Sequence, residues 1–330
     1  MLFFRLIQFL AYQCLLLTSV LSYQIDQSCV DEGLDADLRD AMTSAFEMVD
    51  AARNRLNAEP MDQNTLELLG WLFGRKNQAP DTIVTNKIID VFGAIRNAYR
   101  PETPRGNPVG LNDIVIFCNT ARYRVKDAQK KLFEDSTNGE IIRFDEQICK
   151  GKRFPRDIME KVALAVTTNP TSATGFVQPT QIQLCPWFVQ WVKDHKYKMV
   201  KDAMMTSIGK TLIKLAGRAP FSFAQIDAFN LLDKVLLHEM MHGRAAWKTY
   251  DDHRDLIEVG LNDVELKSGY FGLHMVKAVA YGWSKATKLA SESKVMGSPE
   301  SPDANADSLA LFGSSKYSNI STNLEACADA

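Results

Sequence analysis

Val235-Leu236-Leu237-His238-Glu239-Met240-Met241-His242 sets two histidines four residues apart inside an apolar run. Followed backwards, the apolar period passes through Leu232, Phe229 and Ile226, so the spacing predicts one amphipathic helix from Phe223 to His242. Side chains four residues apart on a helix share a face and stand about 5–6 Å from one another, near enough to grip one cation. Imidazole nitrogens suit zinc. Glu239 follows the first histidine and projects beside the same spot, where a carboxylate can take a proton from an activated water and hand it to a leaving amine.

Together these residues make the H-E-x-x-H pattern of zinc peptidases. The bare pattern also arises by chance as a surface His/Glu helix face; here the apolar flank and the two methionines between the ligands make it more specific. Of the other histidines, His195 lies between Asp194 and Lys196 and reads as a solvated surface residue, and His274 reads as a packing residue. A catalytic zinc takes three protein ligands and keeps one position open, so a third donor must follow the helix. A metzincin would carry a glycine and a histidine three and six residues after His242, but Ala245 and Lys248 stand there. The glutamate of a gluzincin comes from a following helix, and Glu258, the candidate near the right distance, has Gly260 close behind it. Asp251, Asp252, His253, Asp255 and Asp263 remain.

His238-Glu239-Met240-Met241-His242, the loop Gly260-Leu261-Asn262-Asp263, Ala280-Tyr281-Gly282, Asn305-Ala306-Asp307-Ser308 and, upstream, Ile182-Gln183-Leu184-Cys185-Pro186 follow one another in an order that resembles the deuterolysin-like aspzincins. These are fungal secreted zinc endopeptidases that include the peptidyl-lysine metalloendopeptidases. The resemblance runs from about Asp113 to Gly313. It implies an α+β, mainly helical, zincin-like domain, Zn2+ held by His238, His242 and Asp263, Glu239 as general base, and Tyr281 as donor to the developing oxyanion. Asp251 and Asp252 stay open as alternative ligands, since they lie closer to the family's usual spacing. Leu261 stands where the family has threonine, and the chain between Asp263 and Tyr281 is longer than the family pattern. Asn305 and Asp307 are expected to hold the surrounding elements by hydrogen bonds.

Elsewhere the pattern predicts helices from Asp37 to Leu56, Thr65 to Phe73 and Asn86 to Tyr99, a helical layer over 23–110. A catalytic part over 111–330 holds strands at Asp113 to Cys118, Ile141 to Phe144 and Gln181 to Cys185. The three strands are expected to share one small sheet. Thr167 to Thr180 reads as turns, Tyr250 to Asp255 as an acidic loop, and the chain onward to Gly272 as a glycine-punctuated stretch. Helices are expected from Ser284 to Ser291 and Ala304 to Phe312.

Arg5 followed by the apolar run from Leu6 to Leu21 reads as a secretory signal peptide over 1–22, with Val20 and Ser22 as small residues for cleavage. No other run reaches the ~20 apolar residues of a membrane span. The mature chain is therefore expected to be a secreted, extracellular, monomeric single domain over 23–330. A formal net charge of -2 points to neither nucleic acid nor an anionic membrane. Cys14 leaves with the signal, and Cys29, Cys118, Cys149, Cys185 and Cys327 are expected to make two disulfides and leave one thiol, in a pairing the sequence does not fix. Asn319-Ile320-Ser321 is a glycosylation acceptor. The expected activity is that of a zinc metalloendopeptidase acting on a protein or peptide substrate; the alternative is a secreted, non-catalytic interaction protein on a degenerate zincin fold.

Overall fold

Short apolar runs of strand type and long helical periods alternate along the chain, and the computed structural model resolves them into layers. It describes residues 22–97, 101–143, 149, 163–171, 175–194, 198–199, 231–250, 253–271, 274–293 and 296–315. Tyr23–Ile25 (β1) leads into Gln27–Asp31 (α1), Asp35–Leu56 (α2), Gln63–Phe73 (α3) and Asn86–Asn97 (α4). Along α2, Leu38, Met42, Ala45, Val49, Ala52 and Leu56 are buried at helical spacing, while Asp35 and Asp37 at its start and Arg53 and Arg55 at its end complement the helix dipole. The start of α3 is fixed by Asp62, whose carboxylate accepts the Thr65 N–H at 3.0 Å.

Next come Ile114–Phe117 (β2), Tyr123–Asp127 (β3), Leu132–Asp135 (β4), Ile141–Arg143 (β5), Ala165–Thr168 (β6), Thr180–Leu184 (β7) and Pro186–Asp194 (α5). Leu232–His242 (α6), Lys248–Tyr250 (β8), Leu256–Val259 (β9), Glu265–Phe271 (β10), His274–Val279 (β11), Trp283–Glu292 (α7) and Ala306–Ser314 (α8) complete the described elements. The result is a mixed α/β architecture. Its main sheet has the order β1-β2-β7-β6, parallel except for β6, which runs antiparallel to β7 at one edge. β2 and β7 are buried along their whole length, as strands covered on both faces must be. Helix α6 packs against α2, α8 and β6, which sets the histidine-bearing helix beside the antiparallel edge of the sheet.

Four expectations are corrected. The segment 23–110 is not purely helical: β1 joins the main sheet beside β2, so the two expected parts share one sheet. Ile141–Arg143 pairs with β4 in a separate β3-β4-β5 sheet rather than with the other two expected strands. The segment read as turns from Thr167 to Thr180 has strand at both ends, β6 and β7. Beyond the helix, the acidic residues 253–255 do lie in a connection, between β8 and β9, but the glycine-punctuated stretch that follows carries strands β9 and β10, which belong to two antiparallel pairs, β8-β9 and β10-β11. Their strands mix polar with apolar residues, so backbone pairing rather than side-chain pattern defines them.

Ser22 belongs to the folded body. Its N–H donates to Asp113 Oδ1 at 2.5 Å, its hydroxyl to Pro101 O at 2.7 Å, and its carbonyl accepts from Ile114 N at 3.0 Å. The remainder of the expected signal, 1–21, lies outside the described residues, as do Cys327 and Asn319. Disulfides join Cys29 to Cys118 and Cys149 to Cys185, the first linking α1 to the end of β2 and the second ending just before α5. Among the described residues no helix is long and apolar enough to cross a membrane.

Candidate metal centre

Helix α6 is buried on nearly every side, from Leu232 to Met241. Its C-terminal end is closed by side chains and by the returning backbone. Asn169, just beyond β6, donates from Nδ2 to the His242 carbonyl at 2.8 Å, and Leu261 N donates to Met241 O at 2.8 Å. Gly260 makes that return possible: its φ is +80°, and a Cβ there would stand 1.9 Å from His242 O. The loop it opens is pressed onto the helix end and delivers Asp263 to the two histidines.

The three donors converge. His238 Nε2 and His242 Nε2 are 3.1 Å apart, and Asp263 Oδ1 lies 3.5 Å from the first and 3.4 Å from the second. A tetrahedral ion about 2.0–2.1 Å from each ligand sets neighbouring ligand atoms about 3.3 Å apart. These edges match that value. Asp263 Oδ1 is also buried without a hydrogen bond, a costly state for a carboxylate oxygen unless a cation completes it. Among the described residues this is the one group of His, Cys, Asp or Glu side chains with metal-site geometry.

Behind the ligands, one imidazole is held by a hydrogen bond and the other faces a carboxylate without one. His242 Nδ1 donates to Leu261 O at 2.7 Å, which leaves the Nε2 lone pair for a metal. His238 Nδ1 faces Asp307 Oδ1 at 3.5 Å, and the other oxygen of Asp307 accepts the Gly282 N–H at 2.7 Å. Tyr281, next to that glycine, donates its hydroxyl to Asp263 Oδ2, with its ring centroid 5.5 Å from that of His238. Glu239 is buried, and its Oε2 accepts from Thr167 Oγ1 at 2.7 Å.

The long connection between Asp263 and Tyr281 is the β10-β11 hairpin, which leaves the site and comes back. Glu265 pairs with Val279, and Ala280 N donates to Val264 O at 2.8 Å, so the two feet stand side by side. Asn305 joins both feet: its Oδ1 accepts from Val264 N at 3.0 Å and its Nδ2 donates to Ala280 O at 3.3 Å.

Burial disfavours a charge on His238, but Asp307, Asp263 and Glu239 outweigh it and push the imidazole up to about 9. His242 is also raised, against its burial, by Asp263 and despite His238. Burial alone would raise Asp263; the nearness of His242 and the charge of His238 instead hold it well below the usual carboxylate range. Asp307 is likewise lowered by His238 in spite of its burial. Burial first, and then the Asp263 charge, push the Tyr281 phenol upward, so it stays a hydrogen-bond donor. Without a metal the centre is thus organised to hold positive charge.

The structure brings together His238, Glu239, His242, Asp263 and Tyr281, with Asn305 and Asp307 behind them. Asp251, Asp252 and His195 lie outside the described residues, and His274 begins β11. Glu258 sits in β9 and accepts from Asn262 Nδ2 at 2.9 Å. Thr167 and Asn169 are the site residues that sequence reasoning missed; the β-branched run Val166-Thr167-Thr168 is the signal that marks their strand. No family model matches the chain, and neither a curated protein nor a solved structure matches it.

Proposed function

We propose that this chain is a secreted zinc-dependent endopeptidase of the aspzincin type, with His238, His242 and Asp263 as ligands and Glu239 as general base. The observation that carries the reading is the triangle of donor atoms, 3.1, 3.4 and 3.5 Å on its edges, with a buried and otherwise unbonded Asp263 oxygen at one corner. Zinc, when bound in such a set, acts as a Lewis acid toward a carbonyl oxygen and makes water a nucleophile near neutral pH. Glu239 receives the proton of the attacking water and carries it to the departing amine. The Leu261 carbonyl fixes the His242 ring, Asp307 sets a negative charge behind the His238 ring, and Tyr281 fixes the outer oxygen of Asp263.

A cleft lies over these residues, bordered by Ala165, Thr167 and Asn169 on one side and by Val259, Leu261 and Tyr281 on the other. The phase of β6 supports a substrate in extended conformation. Cys185 N donates to Leu164 O, so the pairs Val166↔Gln183 and Thr168↔Gln181 exchange hydrogen bonds, while Ala165 and Thr167 turn their N–H and C=O groups to the outer edge. Among the described residues that edge has no further strand, and a peptide can add there as one.

The test is zinc content together with chelator-sensitive cleavage of a denatured protein substrate. Wild type should bind one zinc and cleave, and Glu239→Gln should keep the zinc while losing a factor on the order of 100 or more in turnover. A zinc-loaded wild-type chain that cleaves nothing, or a Glu239→Gln chain that cleaves normally, sinks the reading.

A further inference from the structure

We propose that Thr167 is the positioning residue for Glu239, an inference that rests on the peptidase reading of the same site. The Thr167 hydroxyl donates to Glu239 Oε2 at 2.7 Å and approaches the Glu239 carbonyl at 3.2 Å. Glu239 is 6 % exposed, and among the described residues no hydrogen bond reaches its other carboxylate oxygen. One oxygen is therefore anchored and the other faces the cleft, the arrangement a base needs if it is to meet water in a single orientation.

Where Thr167 sits explains why the anchor is effective. It lies in the antiparallel edge strand β6, opposite Ile182 in a pair that does not exchange hydrogen bonds. Its backbone groups thus face the open edge while its side chain turns to α6. Threonine is β-branched and stiff about χ1, so the hydroxyl is fixed by the strand rather than by a flexible stem. One residue carries both the edge offered to a substrate and the hydroxyl that holds the base. A serine in its place keeps the donor; a valine keeps the shape and deletes it.

The experiment compares Thr167→Val and Thr167→Ser in the zinc-loaded full chain, with zinc content, melting curve, kcat, KM and a crystal structure for each. Thr167→Val should retain one zinc and a KM within about threefold of wild type while kcat falls roughly 10–100-fold, part of what a general base supplies. Thr167→Ser should return kcat to within about threefold of wild type. In the crystals the Glu239 carboxylate should leave its place in the valine variant and keep it in the serine variant, with His238, His242 and Asp263 unmoved in both. Should the valine variant not fold, Thr167→Ala supplies the donor-free arm. A donor-free variant with wild-type kcat and an unmoved Glu239 overturns the inference, as does a serine variant as slow as the valine one. If wild type cleaves no peptide, the peptidase reading falls by itself, and the position of Glu239 in the crystals still decides for or against Thr167 as its holder.

Discussion

Gly260 is the residue on which delivery of the third ligand depends. A methyl group there meets the His242 carbonyl at 1.9 Å, and the backbone sits at φ +80°. Gly260→Ala should therefore move the loop, and with it Asp263, costing most of the zinc affinity. Asp263→Ala should do the same by deleting the ligand. Calorimetric zinc titration of both variants checks this, and tight stoichiometric binding by Asp263→Ala would show that another carboxylate serves. Asp307→Asn loses the charge behind His238 and should weaken zinc by about 10–100-fold, the usual cost of an outer-shell partner. His238, Glu239 and His242 were legible because a helix places i and i+4 side by side from local geometry alone. Asp263 could be singled out only through the resemblance, with Asp251 and Asp252 still open, since its arrival depends on a turn 18 residues past the motif. Thr167 was not legible at all: a threonine among β-branched neighbours carries no mark of which helix will pack over it.

At the level of elements, helices α2, α3, α4, α7 and α8 followed from the apolar period and the two buried strands of the central sheet from their β-branched runs. Helix α5 was not foreseen, and α6 begins at Leu232, after an extended Leu231, rather than at Phe223. The hairpins did not follow from either pattern. Strands β8 and β9 bury little on either face, and β10-β11 shifts register between Lys267 and Tyr270. What makes that hairpin consequential is Asn305, which bonds to backbone on both of its feet and is itself fully buried. Asn305→Ala leaves a buried N–H and a buried carbonyl without their partner, a loss of about 1–3 kcal/mol for each unsatisfied group. The expected outcome is a lower midpoint in urea together with weaker zinc binding, because Asp263 and Tyr281 leave from those two feet. A variant that loses stability but binds zinc as tightly as wild type would separate the hairpin from the metal centre.

Over the whole molecule, charge and covalent links set the conditions for stability. The metal-free centre stores a proton: His238 rises from 6.5 to about 9, so its contribution is fully present below pH 6.5 and is lost as pH climbs through 9. Asp263 and Asp307 are lowered from 3.8, so theirs is present above pH 4 or so and is lost in acid. Zinc-free protein should melt highest between these limits and progressively lower from pH 6.5 to 9. Zinc replaces the proton, so the gap in Tm between loaded and stripped protein should widen over that range; a stripped protein whose Tm is flat or rising there contradicts the charge balance. The Cys29–Cys118 bond closes a separation of 89 residues, and the double serine variant should lose about 2–5 kcal/mol in denaturant unfolding. The pairing itself could not be read from spacing, because it depends on β1 and β2 lying parallel. The closed feet of β10-β11 have one more consequence. Since Asn305 fixes where the hairpin leaves and returns, the distance from Asp263 to Tyr281 does not depend on how much chain lies between. The far end of the β10-β11 pair is thus a place where evolution can lengthen this protein, or an engineer can graft a reporter peptide, without retuning the ligands.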